Sequence, residues 1–325
     1  MAHKIKVAAA QIAPVFLNRS ASLEKVVRWV DKAADAGCAL VAFGETHVPA
    51  YPVWLCRTDA ARFDAADQKR IHARYVEESV HIGPMEGGGG DLAGVCDAAR
   101  RRGISVVLGV AERAHDRGGH SLFCSLVYIS GQGEHAGRVR SVHRKLMPTY
   151  EERLSWAAGD GAGLVTHRLG AFTVGALNCW ENWMPLPRAA LYAAGEDLHV
   201  AIWPGALRNT RDITRFIALE GRAYVLSASS LLRAQDIPAD VPERERFASD
   251  KGEVFYDGGS CIAGPDGAWA AEPLVGQEGL VVAEIDHGRV LQERQNFDPV
   301  GHYSRPDVLK LTVDRRRQRA AEFID

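Results

Sequence analysis

Short runs of consecutive apolar residues recur along this chain, and helical patterns with one apolar stripe lie between many of them. A strand that is apolar at nearly every position is covered on both faces, so its sheet is buried. A helix with one apolar stripe covers a single face. The pattern predicts an α/β fold with sheet buried under helices; two sheets face to face with helices outside would bury all of these surfaces. Periodicity leaves the order of the layers open.

In chain order, strands are expected at 5–12, 39–43, 104–110, 121–129, 134–142, 164–169, 172–177, 198–203, 224–231, 260–263, 269–272 and 279–285. Helices are expected at 20–36, 62–81, 91–102, from Pro185 to Gly195, at 210–222 and at 287–295. Ser20 or Ser22 would cap the first helix and Gly37 would end it. Hairpins are expected around Gly131-Gln-Gly133, at Gly170 and at Pro265-Asp-Gly267. No linker, composition break or internal repeat divides the chain. Residues 1–296 are therefore read as one domain, and 297–325 as a polar tail with one apolar alternation at 308–313, too polar for a core of its own.

With 46% hydrophobic and 25% charged residues, the chain can bury a substantial core. A net charge of −2 gives no signal for nucleic acid or a membrane surface. No apolar run approaches membrane-spanning length, and Met-Ala-His-Lys-Ile-Lys leads straight into a strand pattern without a signal peptide. The six cysteines are scattered singly, without a CxxC pair. That favours reduced thiols in a cytoplasmic protein over disulfides or a zinc site.

The chemistry centres on Val174–Pro185. The apolar run 172–177 stops at Asn178-Cys179-Trp180, and Pro185 and Pro187 open a helical pattern. Cys179 would thus sit where a strand turns into a helix start, among unpaired backbone N–H groups. That setting lowers a thiol pKa and offers donors to developing negative charge. Glu45 and Lys145 also follow apolar strands, so all three residues can meet at one rim, and Glu152 lies seven residues beyond Lys145. A thiol nucleophile, a carboxylate to move its proton and an ammonium to stabilise charge suit covalent attack on an amide or on a carbon multiply bonded to nitrogen. Two carboxylates beside the ammonium would keep it charged, and their repulsion would raise one carboxylate's pKa. The run Gly87–Gly90 lacks the Lys-Ser/Thr ending of a phosphate loop and reads as a turn.

Three segments resemble the signature blocks of the nitrilase superfamily: Phe43-Gly-Glu45-Thr-His-Val-Pro-Ala-Tyr-Pro52, His143-Arg-Lys145-Leu-Met-Pro-Thr-Tyr-Glu-Glu152 and Asn178-Cys179-Trp-Glu-Asn182. Cys179 follows Lys145 by 34 residues, and Trp-Glu follows the Cys; both resemble the nitrilase branch. The resemblance runs from Ala8-Ala-Ala-Gln11 through Trp203-Pro-Gly205 to Gly301–Pro306. It implies a four-layer α-β-β-α sandwich needing no metal or organic cofactor. It implies Cys179 as nucleophile and Glu45 as general base. Lys145, with the backbone N–H of Trp180, would stabilise the tetrahedral intermediate, and Glu152 would orient Lys145 and substrate. It further implies dimers that extend into spirals or filaments, with the 297–325 tail across a partner subunit. His47 departs from the family, where an apolar aromatic is common, and bears on the pocket wall.

Each residue also has a plainer reading. Lys145 in a His-Arg-Lys run could be solvated, and Glu152 could merely favour the first turn of a short helix. Tyr51, Trp54, Trp183 and Trp203 could line an apolar pocket or pack the core. The histidines lack metal-ligand spacing. Cys38, Cys56, Cys96, Cys124 and Cys261 read as packing or incidental surface thiols. The expected activity is hydrolysis of a nitrile to acid and ammonia. The alternatives are a cyanide hydratase or dihydratase, an amidase or carbamoylase, and a silent assembly protein of the same fold.

Overall fold

The computed structural model describes residues 3–83 and 88–321; Gly87 of the glycine run lies outside them. Five strands come first: β1 (Lys4–Gln11), β2 (Cys38–Ala42), β3 (Ser105–Arg113), β4 (Leu122–Ile129) and β5 (Val139–Arg144). Then follow β6 (His167–Leu169), β7 (Phe172–Asn178), β8 (Leu198–Trp203), β9 (Tyr224–Ser229), β10 (Leu231–Arg233), β11 (Val254–Ala263), β12 (Trp269–Val275) and β13 (Gly279–Asp286). One sheet has the order β13-β1-β2-β3-β4-β5; the other runs β10-β11-β9-β8-β7-β6, with β12 on β11. Strands β1, β2 and β3 are parallel, as are β7, β8 and β9.

The strand alternation sorts side chains into layers. Val7, Ala9, Leu40, Ala42 and Val107 of the first sheet meet Val174, Leu198, Val200 and Leu226 of the second between the sheets. Their neighbours Ala8, Ala10, Val41, Val106 and Leu108 face the other way. They are covered by Val26, Val30 and Ala33 of α1 (Arg19–Asp35), while α2 (Ala66–Glu78) packs elsewhere and α3 (Ala93–Arg102) adds Val95 and Ala99. On the opposite side, α4 (Pro185–Ala193) sets Leu191 on Leu177. Ile213, Ile217 and Ala218 of α5 (Leu207–Gly221) cover Ala201, Trp203 and Val225. The result is the α-β-β-α sandwich. Each fully buried Val, Leu or Ile contributes about 1.5–3 kcal/mol, and a one-residue strand slip would turn a whole row to the wrong layer. Among the described residues, no helix is long and apolar enough to cross a membrane.

Several local expectations are corrected. Asn18, not Ser20 or Ser22, caps α1: its side chain accepts the Ala21 N–H, while Ser22 turns inward onto the backbone of Val15. Residues 133–135 form a 3-10 turn, so β5 starts only at Val139. The strand expected at 260–263 starts six residues earlier, because Gly258 and Gly259 adopt φ of +97° and +93° and form a bulge that breaks the alternation. Residues 308–313 join no strand. Beyond them Arg317 pairs with Asp160 and donates to the Val142 carbonyl, which lays the tail's end on its own chain beside β5. Two short helices complete the list: α6 (Arg244–Phe247) and α7 (His287–Glu293).

Candidate active site

Strand direction brings three side chains to one rim. Because β3 pairs antiparallel with β4, and β4 with β5, strands β2 and β5 run the same way. Glu45 and Lys145 follow their carboxyl ends. Cys179 follows β7 in the facing sheet. The two rims are tied directly: the Glu45 N–H donates to the carbonyl of Trp203, the last residue of β8, at 3.0 Å. The Glu45 turn also leans on β3. A Cβ at Gly109 would lie 2.2 Å from the Gly44 oxygen and 2.7 Å from the Glu45 Cα, so only glycine lets these backbones approach.

Lys145 is the hub. Its Nζ donates to Glu45 Oε1 at 2.9 Å and to Glu152 Oε2 at 2.7 Å, with all three side chains buried. Glu152 sits on a 3-10 turn, Tyr150–Leu154, where the Thr149 N–H also reaches Oε2 at 2.6 Å. Its Oε1 accepts the Tyr51 hydroxyl at 2.7 Å. Oxygen atoms of Glu45 and Glu152 and the Cys179 sulfur all lie within 4.8 Å of one another. Two carboxylates and a thiol form a conceivable metal set, but the Lys145 ammonium already bonds both carboxylates where a cation would be held.

The electrostatics depart from expectation. The Cys179 thiol is raised well above its ordinary pKa, first by burial and then by the Glu45 charge, although Lys145 and the Trp180 N–H act to lower it. The expected thiol-lowering helix start is replaced by a 3-10 turn, Cys179–Trp183, that precedes α4. The resting sulfur is therefore a thiol in need of a base. Glu45 is raised to about 7, by burial first rather than by repulsion, with Lys145 opposing and Glu152 adding. Burial disfavours charge on Lys145, but Glu45 leads the neighbouring groups that raise it well above an ordinary lysine. Glu45 Oε2 is buried with no partner among the described residues, which leaves one oxygen able to receive a proton.

A second layer fixes the nucleophile turn. Cys179 has φ +46°, an αL conformation that costs a non-glycine residue about 1 kcal/mol. Asn182 Nδ2 donates to the Cys179 carbonyl at 2.8 Å, and its Oδ1 meets His199 Nε2 at 2.7 Å. Glu181 accepts the N–H groups of Leu146 at 2.5 Å and Asn178 at 3.0 Å, and meets His143 Nε2 at 3.0 Å. One carboxylate thus joins the residue after Lys145 to the residue before Cys179. Burial opposes its charge, yet His143 and the two N–H groups hold Glu181 below the usual carboxylate range.

A small cavity reaches Glu45 between Tyr51, His47, Ser230, Leu231 and Tyr256. Two of the residues expected in a pocket wall are there. His47 Nδ1 meets Ser230 Oγ at 3.0 Å, its Nε2 is buried without a partner among the described residues, and burial lowers its pKa to about 3. The tryptophans are not among the lining residues. Trp54 packs in the core against Phe16 and Tyr75. Trp203 is buried in the layer under α5, its indole donating to Ser227. Trp180 and Trp183 are half exposed, and the backbone N–H of Trp180 lies against the Cys179 sulfur. Sequence reading missed Tyr256, hidden by the glycine bulge after it, and Cys124, whose thiol donates to Glu45 Oε1 at 3.3 Å.

The family model described as "Carbon-nitrogen hydrolase" matches residues 6–295. An aliphatic nitrilase from Rhodococcus rhodochrous is 34% identical, covering 99% of this chain and 82% of that protein. Nitrilase 1 from Arabidopsis thaliana is 33% identical over 98% of this chain and 90% of its own. Among solved structures, a carbon-nitrogen hydrolase from Helicobacter pylori G27 superposes with a TM-score of 0.68 over 94% of this chain and 97% of that one; at 19% identity it speaks to the fold.

Proposed function

The chain belongs to the carbon–nitrogen hydrolase family, in its nitrilase branch, and we propose that it hydrolyses an organic nitrile to the carboxylic acid and ammonia through a covalent bond to Cys179. The observation that carries this reading is the buried Lys145 bonded to two carboxylates, beside a thiol that needs a base.

Glu45 takes the Cys179 proton on its free Oε2, and the thiolate adds to the nitrile carbon as the nitrogen gains a proton, giving a thioimidate. Glu45 then draws a proton from a water that adds to the same carbon, and ammonia leaves a thioester. A second water releases the acid and restores the thiol. Negative charge in the tetrahedral stages faces the Lys145 ammonium and the Trp180 N–H. Glu152, fixed by Tyr51 and the Thr149 N–H, aims Lys145. Collapse of the tetrahedral stage with loss of the thiolate instead would release an amide. The cavity at Glu45, between Tyr51 and Tyr256, is the route we infer for substrate to the buried Cys179. His47 forms a polar part of its wall.

Ammonia release from a panel of organic nitriles, with cyanide and an amide included, tests this. Acid and ammonia in equal amounts from an organic nitrile are expected. Formamide or formate from cyanide alone would make it a cyanide hydratase or dihydratase, turnover of amides alone an amidase, and no turnover a silent protein. On the best nitrile, kcat/KM should fall as pH drops through about 7, because the base is lost as Glu45 is protonated. A profile flat down to pH 5 would remove Glu45 from that role. The same group also links stability to pH, over the interval between its ordinary and its raised value. Glu45 is raised in the folded chain, so the stability it contributes is full below its ordinary value of 4.5 and lost as pH rises towards 7.

The half-exposed Trp180, Trp183, Leu186 and Phe216, and the exposed Tyr303, Val308 and Leu309 of the tail, support a second copy covering these faces in a dimer that extends into larger assemblies. Light scattering that finds only a 35.4 kDa species would contradict this. The six cysteines are free, which fits a reducing compartment, and the cytoplasm is the location we infer.

A further inference from the structure

Cys124 sits on β4 opposite Ala111 of β3, 1% exposed, two strands from the Glu45 turn. It touches two members of the site at once. Its carbonyl accepts the Lys145 backbone N–H at 2.8 Å, and its thiol donates to Glu45 Oε1 at 3.3 Å. The same Oε1 accepts the Lys145 ammonium at 2.9 Å, whereas Oε2 is buried and bonds none of the described residues. The two oxygens of this carboxylate are therefore unlike. One is saturated by a cation and a thiol, and the other keeps all its lone pairs.

We infer that Cys124 is a positioning residue for the base. Its thiol and the Lys145 ammonium together pin Oε1 and so dedicate Oε2 to proton transfer. The inference rests on the reading of Glu45 as general base. Cys124 itself is no second nucleophile. Burial, followed by the Glu45 charge, raises its thiol well above the ordinary range, so it stays protonated and acts as a donor. A carboxyl side chain turns freely about its last bond unless an oxygen is held, and one ammonium contact still allows rocking. A second donor on the same oxygen, delivered from a sheet strand, removes that freedom.

A consequence for pH follows, because a donor to the ionised form favours that form. The groups facing Glu45 are Lys145 after β5, Glu152 on the 150–154 turn, Tyr51 and His47 on its own loop, Cys179 after β7, Tyr256 on β11 and Tyr75 on α2. Only Lys145 and Cys124 bond the carboxylate among the described residues. Losing the thiol donor should move the acid limb of kcat/KM to higher pH, by about half a unit to one unit, the size of a single hydrogen bond to a carboxylate.

The test compares Cys124→Val, which fills the sulfur's space without a donor, and Cys124→Ser, which keeps one, on the nitrile the wild-type protein turns over best. Cys124→Ala is a second donor-free variant should the branched side chain not fit, and circular dichroism checks folding of each. The expected result is an upward-shifted acid limb and lower kcat in the donor-free variant, with the limb back at its wild-type position in Cys124→Ser. A wild-type limb in the donor-free variant, or an equal shift in Cys124→Ser, would overturn the inference and leave Cys124 a packing residue. Glu45→Gln run alongside separates the two readings. If Glu45→Gln keeps its turnover, the base assignment fails. If Glu45→Gln is inactive and the limb in the donor-free variant is unmoved, only the role of Cys124 fails.

Discussion

Cys179→Ala is expected to lose turnover on any nitrile by a factor on the order of 10⁴ or more, with its fold retained. Among the described residues, Cys179 is the cysteine whose sulfur lies within 4.8 Å of oxygen atoms of both Glu45 and Glu152. Cys124 is close by, but it donates to Glu45 Oε1 and is held as a thiol. The fold should tolerate the change because Ala accepts φ +46° about as poorly as Cys does, and the turn is held by bonds the sulfur does not make. Those bonds are Asn182 to the Cys179 carbonyl and Glu181 to the Asn178 N–H. Acid and ammonia assays beside thermal melting check both halves. Near-wild-type turnover in this variant would remove Cys179 from the mechanism.

Lys145→Met is expected to damage stability and activity together. Methionine fills the space but leaves Glu45 and Glu152 facing each other in a buried site with no cation. Removing one partner of a buried ion pair costs about 3–5 kcal/mol. The loss should deepen with pH. Without Lys145, the Glu45 carboxyl loses the main neighbour that opposes its raised pKa. The folded protein then holds a proton that the unfolded chain gives up, so stability falls as pH rises above the ordinary carboxylate range. Urea unfolding at pH 5.5 and pH 8 reads this directly. Adding Glu45→Gln should recover stability at pH 8 but not turnover, because the neutral amide removes the stranded charge and the base alike. Activity should drop on the order of 10³-fold or more in Lys145→Met, since the charge that faces the tetrahedral stage is gone. A variant as stable as wild type at pH 8 would contradict the hub role of Lys145.

Much of this was legible in the sequence because apolar alternation is decided locally. The strand at 198–203 ends in the structure where the pattern ends, the one at 172–177 runs one residue further to Asn178, and the residues following β2, β5 and β7 meet as their positions suggest. Features set by distant partners were not legible. The direction of the Cys179 pKa shift depends on burial among Ala201, Trp203 and the α5 side chains and on Glu45, 134 residues earlier, which no local turn geometry reveals. Trp54 and Trp203 could be read as pocket wall or as core; which face they present is fixed only by packing on Tyr75 and α5. The role of Cys124 shows only when β4 is placed two strands from Glu45. Tyr256 was masked by two glycines whose positive φ interrupts the strand period.

Mass spectrometry of protein quenched in acid during turnover of a nitrile addresses the covalent step itself. The account predicts the substrate's acyl group on the peptide that carries Cys179, gone once substrate is consumed and missing in Cys179→Ala. The acyl group on any other residue, or full turnover by protein whose Cys179 has been alkylated beforehand, would contradict it.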